Sequence, residues 1–293
     1  MSFITRFAPS PTGWLHLGHA LSALVVWDVA RRAGGRVLLR IEDIDTARCR
    51  PEYEQGILDD LRWLGLQAEG PVWRQSQRLH IYRNVLDGLR RRGLVYPCFC
   101  TRGDIRRAAT GTTFDGLLYP GTCRSLSTAE AAVRLARGEA AAWRLKLDYA
   151  LEQTGDIVWH DAVSGTQRWD GEGWGDIVLA RKDIATSYHL AVTVDDDAQG
   201  ITDIVRGRDL FEATHIHVVL QRLLGFPTPR YHHHDLLFAG DGEKLSKRKG
   251  AASLRESFGA EADRQAIVAE LVAAGASSSL FDHLGTVTTH QDD

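Results

Sequence analysis

Hydrophobic and polar positions near the N-terminus follow a strand period, then a helical one, then a strand period again. In "FITRFAP" apolar and polar residues alternate, which predicts a short strand ending at Pro9. "PSPTGW" is a loop. From about His19 to Ala33, Leu21, Leu24, Val25 and Val29 recur at helical spacing, and Gly34-Gly35 stop the run. "RVLLRIED" then predicts a buried strand, with Glu42, Asp43 and Asp45 just past its end. Strand, loop, helix and strand form one βαβ unit, so the expected class is α/β with a parallel sheet covered by helices. In open sheets of this kind ligands bind at the carboxyl ends of the strands, where the loop before the helix and the acidic segment both fall.

Further on, helices are expected from about Glu52 to Leu64 and around Leu79–Arg92. The stretch Tyr96 to Cys123 is turn-rich. "AAWRLKLD" and "DIVLARKD" read as strands returning to a sheet. "AVTVDD" reads as another strand, followed after an acidic turn by a helix through Leu223. The triplet His232-His233-His234 reads as part of an extended segment, where neighbours point to opposite faces and cannot all grip one ion. A glycine-rich charged loop follows, then one or two helices at about Ala260–Ala274.

Composition narrows the class only a little. The chain has 293 residues, 44% hydrophobic and 25% charged, which suits a globular protein with a large core. No apolar window approaches membrane-spanning length, and the start shows no secretory pattern, so the expectation is a cytoplasmic protein without membrane contact. The net charge of −3 gives no global attraction to nucleic acid, although basic clusters at Arg90–Arg92 and in "KLSKRKG" leave local attraction open.

Two segments carry candidate chemistry. His16-Leu17-Gly18-His19 opens a helix, where backbone N–H groups and the helix dipole favour anions. Gly18 lets a nucleotide approach the backbone, and two imidazoles there can donate to phosphate oxygens as charge develops. Lys244 and Lys247, in "KLSKR" between Gly240, Gly242 and Gly250, can close over a triphosphate from a hinged loop. Of the four cysteines, Cys98, Cys100 and Cys123 fall in one stretch and Cys49 is remote. That grouping suggests metal ligation, three thiolates of a tetrahedral site, with water or His80 as a fourth donor on chemistry alone.

The two segments together resemble the paired signatures of class I aminoacyl-tRNA synthetases, usually written HIGH and KMSKS, with Leu17, Leu245 and Arg248 as departures. "RFAPSPTGWLHLGH", "RIEDID" followed by Thr46 and Arg48, "AVTVDD" and "GITDIVRG" resemble the glutamyl branch. The resemblance implies a Rossmann-like catalytic sheet. It implies that Arg6 and Ser10 line an L-glutamate site, that Glu42 holds the α-amino group, and that Tyr188 and Arg206 complete the pocket. It implies ATP binding through His16, Gly18, His19 and Lys247, with Mg²⁺ on the phosphates, and catalytic roles for His16, His19, Lys244 and Lys247. Arginine suits a carboxylate ligand because it offers two parallel charge-assisted bonds.

The small, truncated members of this branch, the glutamyl-queuosine tRNA(Asp) synthetases, are similar over nearly the whole chain. Their C-x-C…Y-x-x-x-C pattern implies one structural Zn²⁺ held by Cys98, Cys100, Tyr119 and Cys123. The short stretch after Arg248 is expected to hold no anticodon-reading domain. The expected organisation is a first catalytic half at 1–95, a zinc-containing insertion at 96–145, a second catalytic half at 146–235, and the KLSKR loop with a short helical C-terminal segment at 236–293. The implied activity is ATP-dependent activation of L-glutamate and its transfer to queuosine in the anticodon arm of tRNA(Asp). The alternatives are a truncated glutamyl-tRNA synthetase that charges a tRNA 3′ end, and a catalytically idle RNA- or nucleotide-binding paralogue.

Overall fold

The structure is a computed structural model that describes residues 2–114, 116–236, 253–254 and 264–273. In chain order its elements begin with β1 (Ile4–Phe7), α1 (Leu17–Arg32), β2 (Arg36–Ile41), α2 (Pro51–Trp63) and β3 (Trp73–Arg74). Next come α3 (Leu79–Arg91), β4 (Val95–Cys98), α4 (Arg102–Ala108), the short strands β5 (Thr112–Thr113) and β6 (Gly116–Leu117), and α5 (Thr128–Ala136). They are followed by β7 (Ala142–Leu145), α6 (Leu147–Thr154), β8 (Ile157–Asp161), β9 (Gly165–Trp169) and β10 (Val178–Ala180). The last are α7 (Tyr188–Ala198), β11 (Asp203–Gly207), α8 (Ala213–Leu224), β12 (Arg230–His234) and α9 (Arg264–Ala273).

These elements fall into two compact units. The first comprises Met1–Arg74, Ile201–Asp209 and Tyr231–Asp293, and the second Gln75–Gly200 and Leu210–Arg230.

In the first unit β1 and β2 pair in parallel, Phe7 opposite Leu39, and β2 pairs in parallel with β3, Arg40 opposite Trp73. The expected βαβ unit is present. β1 is buried along its whole length, however, although its sequence alternates. β11 runs beside β1, tied by the Thr202 N–H to the Ile4 carbonyl at 2.9 Å, and β12 lies next to β11. Helix α1 packs on β1, β2 and β11 through Leu21, Leu24 and Val25, and α9 adds Ile267 and Leu271 to the same core. Gly35, in the tight link from α1 to β2, is required sterically: a Cβ there would sit 2.4 Å from the Phe3 carbonyl oxygen.

In the second unit β4, β7 and β10 form an antiparallel sheet, with Tyr96 opposite Arg144, and β8 and β9 form a hairpin. The two strands expected at "AAWRLKLD" and "DIVLARKD" are therefore present, joined to β4 in an antiparallel sheet.

The strand expected at "AVTVDD" is a correction, because these residues form the middle of α7. Eight consecutive residues, His189 to Asp196, are buried, so no polar face marks the helical period. A short apolar run buried on all sides reads alike as strand or helix. The Ser187 hydroxyl accepts the Leu190 N–H at the N-terminus of α7, and Thr193 returns its hydroxyl to the His189 carbonyl at 2.8 Å.

Asp195, on the same helix, is 0% exposed and receives Tyr82 Oη at 2.6 Å, Arg78 Nε at 2.7 Å and Gln75 Nε2 at 3.1 Å. This node fixes α7, and with it Tyr188 at its first turn, to the segment that leads into α3. Replacing Asp195 by Ala would leave two buried donors and a guanidinium without their acceptor. The expected cost is about 3–5 kcal/mol, read as a lower urea midpoint, whereas an unchanged midpoint would show that the node carries no stability.

Candidate active site and metal centre

The first unit gathers Arg6, Glu42 and Arg206 toward the carboxyl ends of its strands. Arg6 on β1 is 4% exposed, and Arg206 on the neighbouring β11 is 5% exposed. Glu42 follows β2 directly. Its N–H donates to the Pro9 carbonyl at 3.0 Å, which pins the end of β2 to the loop after β1. The Glu42 carboxylate accepts Arg40 Nη2 at 3.2 Å, and both side chains are buried. Ser10 is exposed, and its carbonyl accepts the Thr12 N–H at 2.9 Å in the turn that leads to the helix.

The two imidazoles occupy the first turn of α1, which has no acidic side chain. The His16 N–H donates to His19 Nδ1 at 3.3 Å, and the rings stack with centroids 3.8 Å apart. Gly18 makes room for this arrangement, because a Cβ at that position would lie 3.2 Å from His16 Cε1. Lys244 and Lys247 lie outside the described residues. Tyr188 belongs to the second unit. It begins α7 with its ring edge-on to His189 and His217, which are themselves joined at 3.2 Å through Nδ1 and Nε2.

The second unit also gathers the three cysteines. The thiol sulfurs of Cys98, Cys100 and Cys123 all lie within 4.8 Å of one another, and Cys100 and Cys123 are 3.5 Å apart. The Tyr119 phenol meets them: Cys98 Sγ at 3.3 Å, Cys100 Sγ at 3.6 Å, and the Cys123 N–H at 2.9 Å. His80, exposed on α3, is not in the group. A tetrahedral ion held by sulfur needs thiolates at about this separation, so the donor set fits a metal ion.

Electrostatics divides the donors. Burial, helped by the Cys123 thiol and opposed by the Tyr119 hydrogen bond, pushes the Cys100 thiol up to about 11. Burial acts the same way on Cys123, but the Phe99 N–H and the neighbouring thiol and phenol outweigh it and bring that thiol below its ordinary value. Burial holds the Tyr119 phenol far above its usual range, and the Arg144 guanidinium lies 3.8 Å from its ring centroid.

Three contributors escaped the sequence reading. Arg144 and Asp176 brace the cysteine module, with Asp176 accepting Tyr96 Oη at 2.6 Å and the Leu147 N–H at 3.0 Å. Arg40 braces Glu42. No spacing rule connects these pairs. A signal was available for the two small helices of the module, since Thr101-x-x-Asp104 and Ser127-x-x-Glu130 are capping boxes.

Residues 2–289 match the family described as tRNA synthetases class I (E and Q), catalytic domain. The chain belongs to this family. Within it, the chain is 51% identical to the Glutamyl-Q tRNA(Asp) synthetase of Rhodobacter capsulatus over 264 residues, covering 86% of this chain and 93% of that protein. It is 42% identical to the protein of the same name from Symbiobacterium thermophilum, over 91% of this chain and 84% of the relative. Among solved structures, the glutamate tRNA ligase of Elizabethkingia meningosepticum, in complex with its amino acid, superposes with a TM-score of 0.73 at 29% identity. That match covers 85% of this chain and 53% of the ligase, so the chain spans about half the length of the longer family member. Among the described residues no helix is long and apolar enough to cross a membrane.

The cysteine cluster makes a direct expectation. Metal analysis of the Cys98→Ser variant should show about one bound ion fewer per chain than wild type; equal stoichiometry would refute the ligand group.

Proposed function

We infer that this protein activates L-glutamate with ATP to glutamyl-adenylate and transfers the glutamyl group to queuosine at the wobble position of tRNA(Asp). The observation that carries this reading is near-full-length similarity to relatives bearing the Glutamyl-Q tRNA(Asp) synthetase name, together with the geometry of the first unit. Buried Arg6, Arg206 and Glu42 stand at adjacent strand ends, and paired imidazoles open the helix packed on those strands.

In the first step a glutamate α-carboxylate oxygen attacks the α-phosphorus of ATP, and the bond to pyrophosphate breaks. His16 and His19 donate to the phosphate oxygens as negative charge builds there, with the helix N-terminus behind them. Lys244 and Lys247 are assigned the pyrophosphate side. Arg6 and Arg206 are assigned to substrate carboxylate and Glu42 to the ammonium. Ser10 joins them from the loop, and Tyr188 is assigned the same ligand by resemblance alone. Mg²⁺ bound with ATP would supply countercharge.

In the second step a queuosine hydroxyl attacks the adenylate carbonyl, giving an ester and AMP. A mixed anhydride is already an activated acyl donor, so positioning suffices without a dedicated base. The metal proposed for Cys98, Cys100, Cys123 and Tyr119 is Zn²⁺. It has a structural role, closing the turn-rich segment after β4.

Purified protein is expected to exchange pyrophosphate into ATP with glutamate and no tRNA present. Radiolabelled glutamate is expected to label tRNA(Asp) only when that RNA carries queuosine. Label on tRNA(Glu) from a queuosine-free strain would overturn the proposal in favour of 3′-end charging.

A further inference from the structure

The histidine triplet of β12 has no part in the chemistry above, yet two of its members make specific bonds inside the first unit. Arg206 Nε donates to His233 Nε2 at 3.1 Å, between side chains 5% and 1% exposed. The Tyr231 ring lies parallel to the His233 ring, 3° from coplanar orientation at 5.9 Å, and the Arg206 Cζ atom stands 5.5 Å from the Tyr231 centroid. His234, whose side chain projects from the opposite face of the strand, bonds Ser22 Oγ on α1 at 3.1 Å and the Asp235 carbonyl at 2.8 Å. The strand that carries His233 is therefore tied to the helix that opens with His16 and His19.

We propose that His233 is a positioning residue for Arg206: its imidazole accepts the Nε–H and thereby turns the Nη1/Nη2 edge of the guanidinium toward the substrate carboxylate. The inference rests on the assignment of Arg206 to glutamate made above. Donation from a guanidinium to Nε2 requires that nitrogen to be without hydrogen, so His233 is the neutral Nδ1–H tautomer. The choice of imidazole has an electrostatic reason. A guanidinium that must select an anionic side chain needs its full charge, and a carboxylate placed behind it would cancel that charge. A neutral imidazole accepts the hydrogen bond without adding a negative charge of its own, and the Tyr231 π-face likewise adds none. Fixing the edge matters because bidentate carboxylate recognition depends on the planar fork being aimed correctly.

The test uses the full chain in glutamate-dependent ATP–pyrophosphate exchange, with thermal melting to verify folding. His233→Leu is expected to raise the KM for glutamate about tenfold or more, as loss of a hydrogen bond to a charged group implies. kcat and the KM for ATP should stay within about twofold of wild type. His233→Gln, whose amide oxygen accepts the Nε–H, should restore the glutamate KM to within about threefold. His233→Glu also accepts the bond but neutralises the guanidinium, and should lose glutamate affinity as His233→Leu does. In wild type, two-dimensional ¹⁵N–¹H correlation should place the His233 proton on Nδ1.

The proposal is overturned if His233→Leu leaves the glutamate KM unchanged or moves the glutamate and ATP constants together. It is equally overturned if a normally folded His233→Gln fares no better than His233→Leu, or if the proton sits on Nε2. A wild-type protein inactive in exchange, with the Nδ1–H tautomer intact, brings down the functional reading and the positioning role with it. In that outcome the hydrogen bond stands, so the two failures are told apart.

Discussion

Holding guanidinium groups out of water beside one another is the constraint around which the first unit is built. Arg6, Arg40 and Arg206 are all buried there, and an isolated buried charge costs several kcal/mol in lost hydration. Arg40 meets this with a carboxylate, Glu42, at 3.2 Å. Arg206 has an imidazole and a π-face among its neighbours. Arg40 is held by the acid that stands at the end of β2, whereas the Nε–H of Arg206 is accepted by an imidazole, which brings no negative charge of its own. The strand order puts both kinds side by side, because β1 runs between β2 and β11.

The same constraint explains how far sequence alone could reach. The β1–α1–β2 unit was legible because apolar residues recur at helical spacing over a long stretch, with proline before the helix and Gly34-Gly35 after it. The loop with His16 and His19 was legible because glycine and proline punctuate it. α7 was not, because burial on every side removes the polar half of the period, and its Thr and Val content then favours a strand reading. Here tertiary packing overrode propensity: Asp195 anchors the helix through three donors contributed by residues more than a hundred positions earlier in the chain. Separations of that size leave no trace in a local pattern.

The cysteine module shows the opposite balance. The clustering of Cys98, Cys100 and Cys123 was readable from spacing and residue type, and Tyr119 was nominated by resemblance. Their environment was not readable. Asp176 receives Tyr96 and the backbone of Leu147, while Arg144 covers the Tyr119 ring and donates to the Asp176 carbonyl at 2.7 Å. These contacts tie β4, β7 and the segment before β10 to the tyrosine whose phenol meets the Cys98 and Cys100 thiols and the Cys123 N–H. A phenol held neutral by burial is a poor ligand until a cation approaches, so the proposed fourth donor would bind only as an incoming ion displaces its proton.

The pair of imidazoles at α1 has to be understood with its neighbours. The rings stack 3.8 Å apart and the His16 N–H donates to His19 Nδ1, so the pair is placed as one unit at the start of α1. If the first unit binds ATP as proposed, the helix N-terminus and a divalent cation would add positive charge there. This arrangement has a selective consequence. If the histidines were permanent cations beside Arg6 and Arg206, the first unit would concentrate positive charge that any anion could satisfy. On the proposed reading, directed donors at the phosphate position and the Arg206 fork, whose Nε–H is accepted by His233, let two anionic substrates be sorted by geometry as well as by sign.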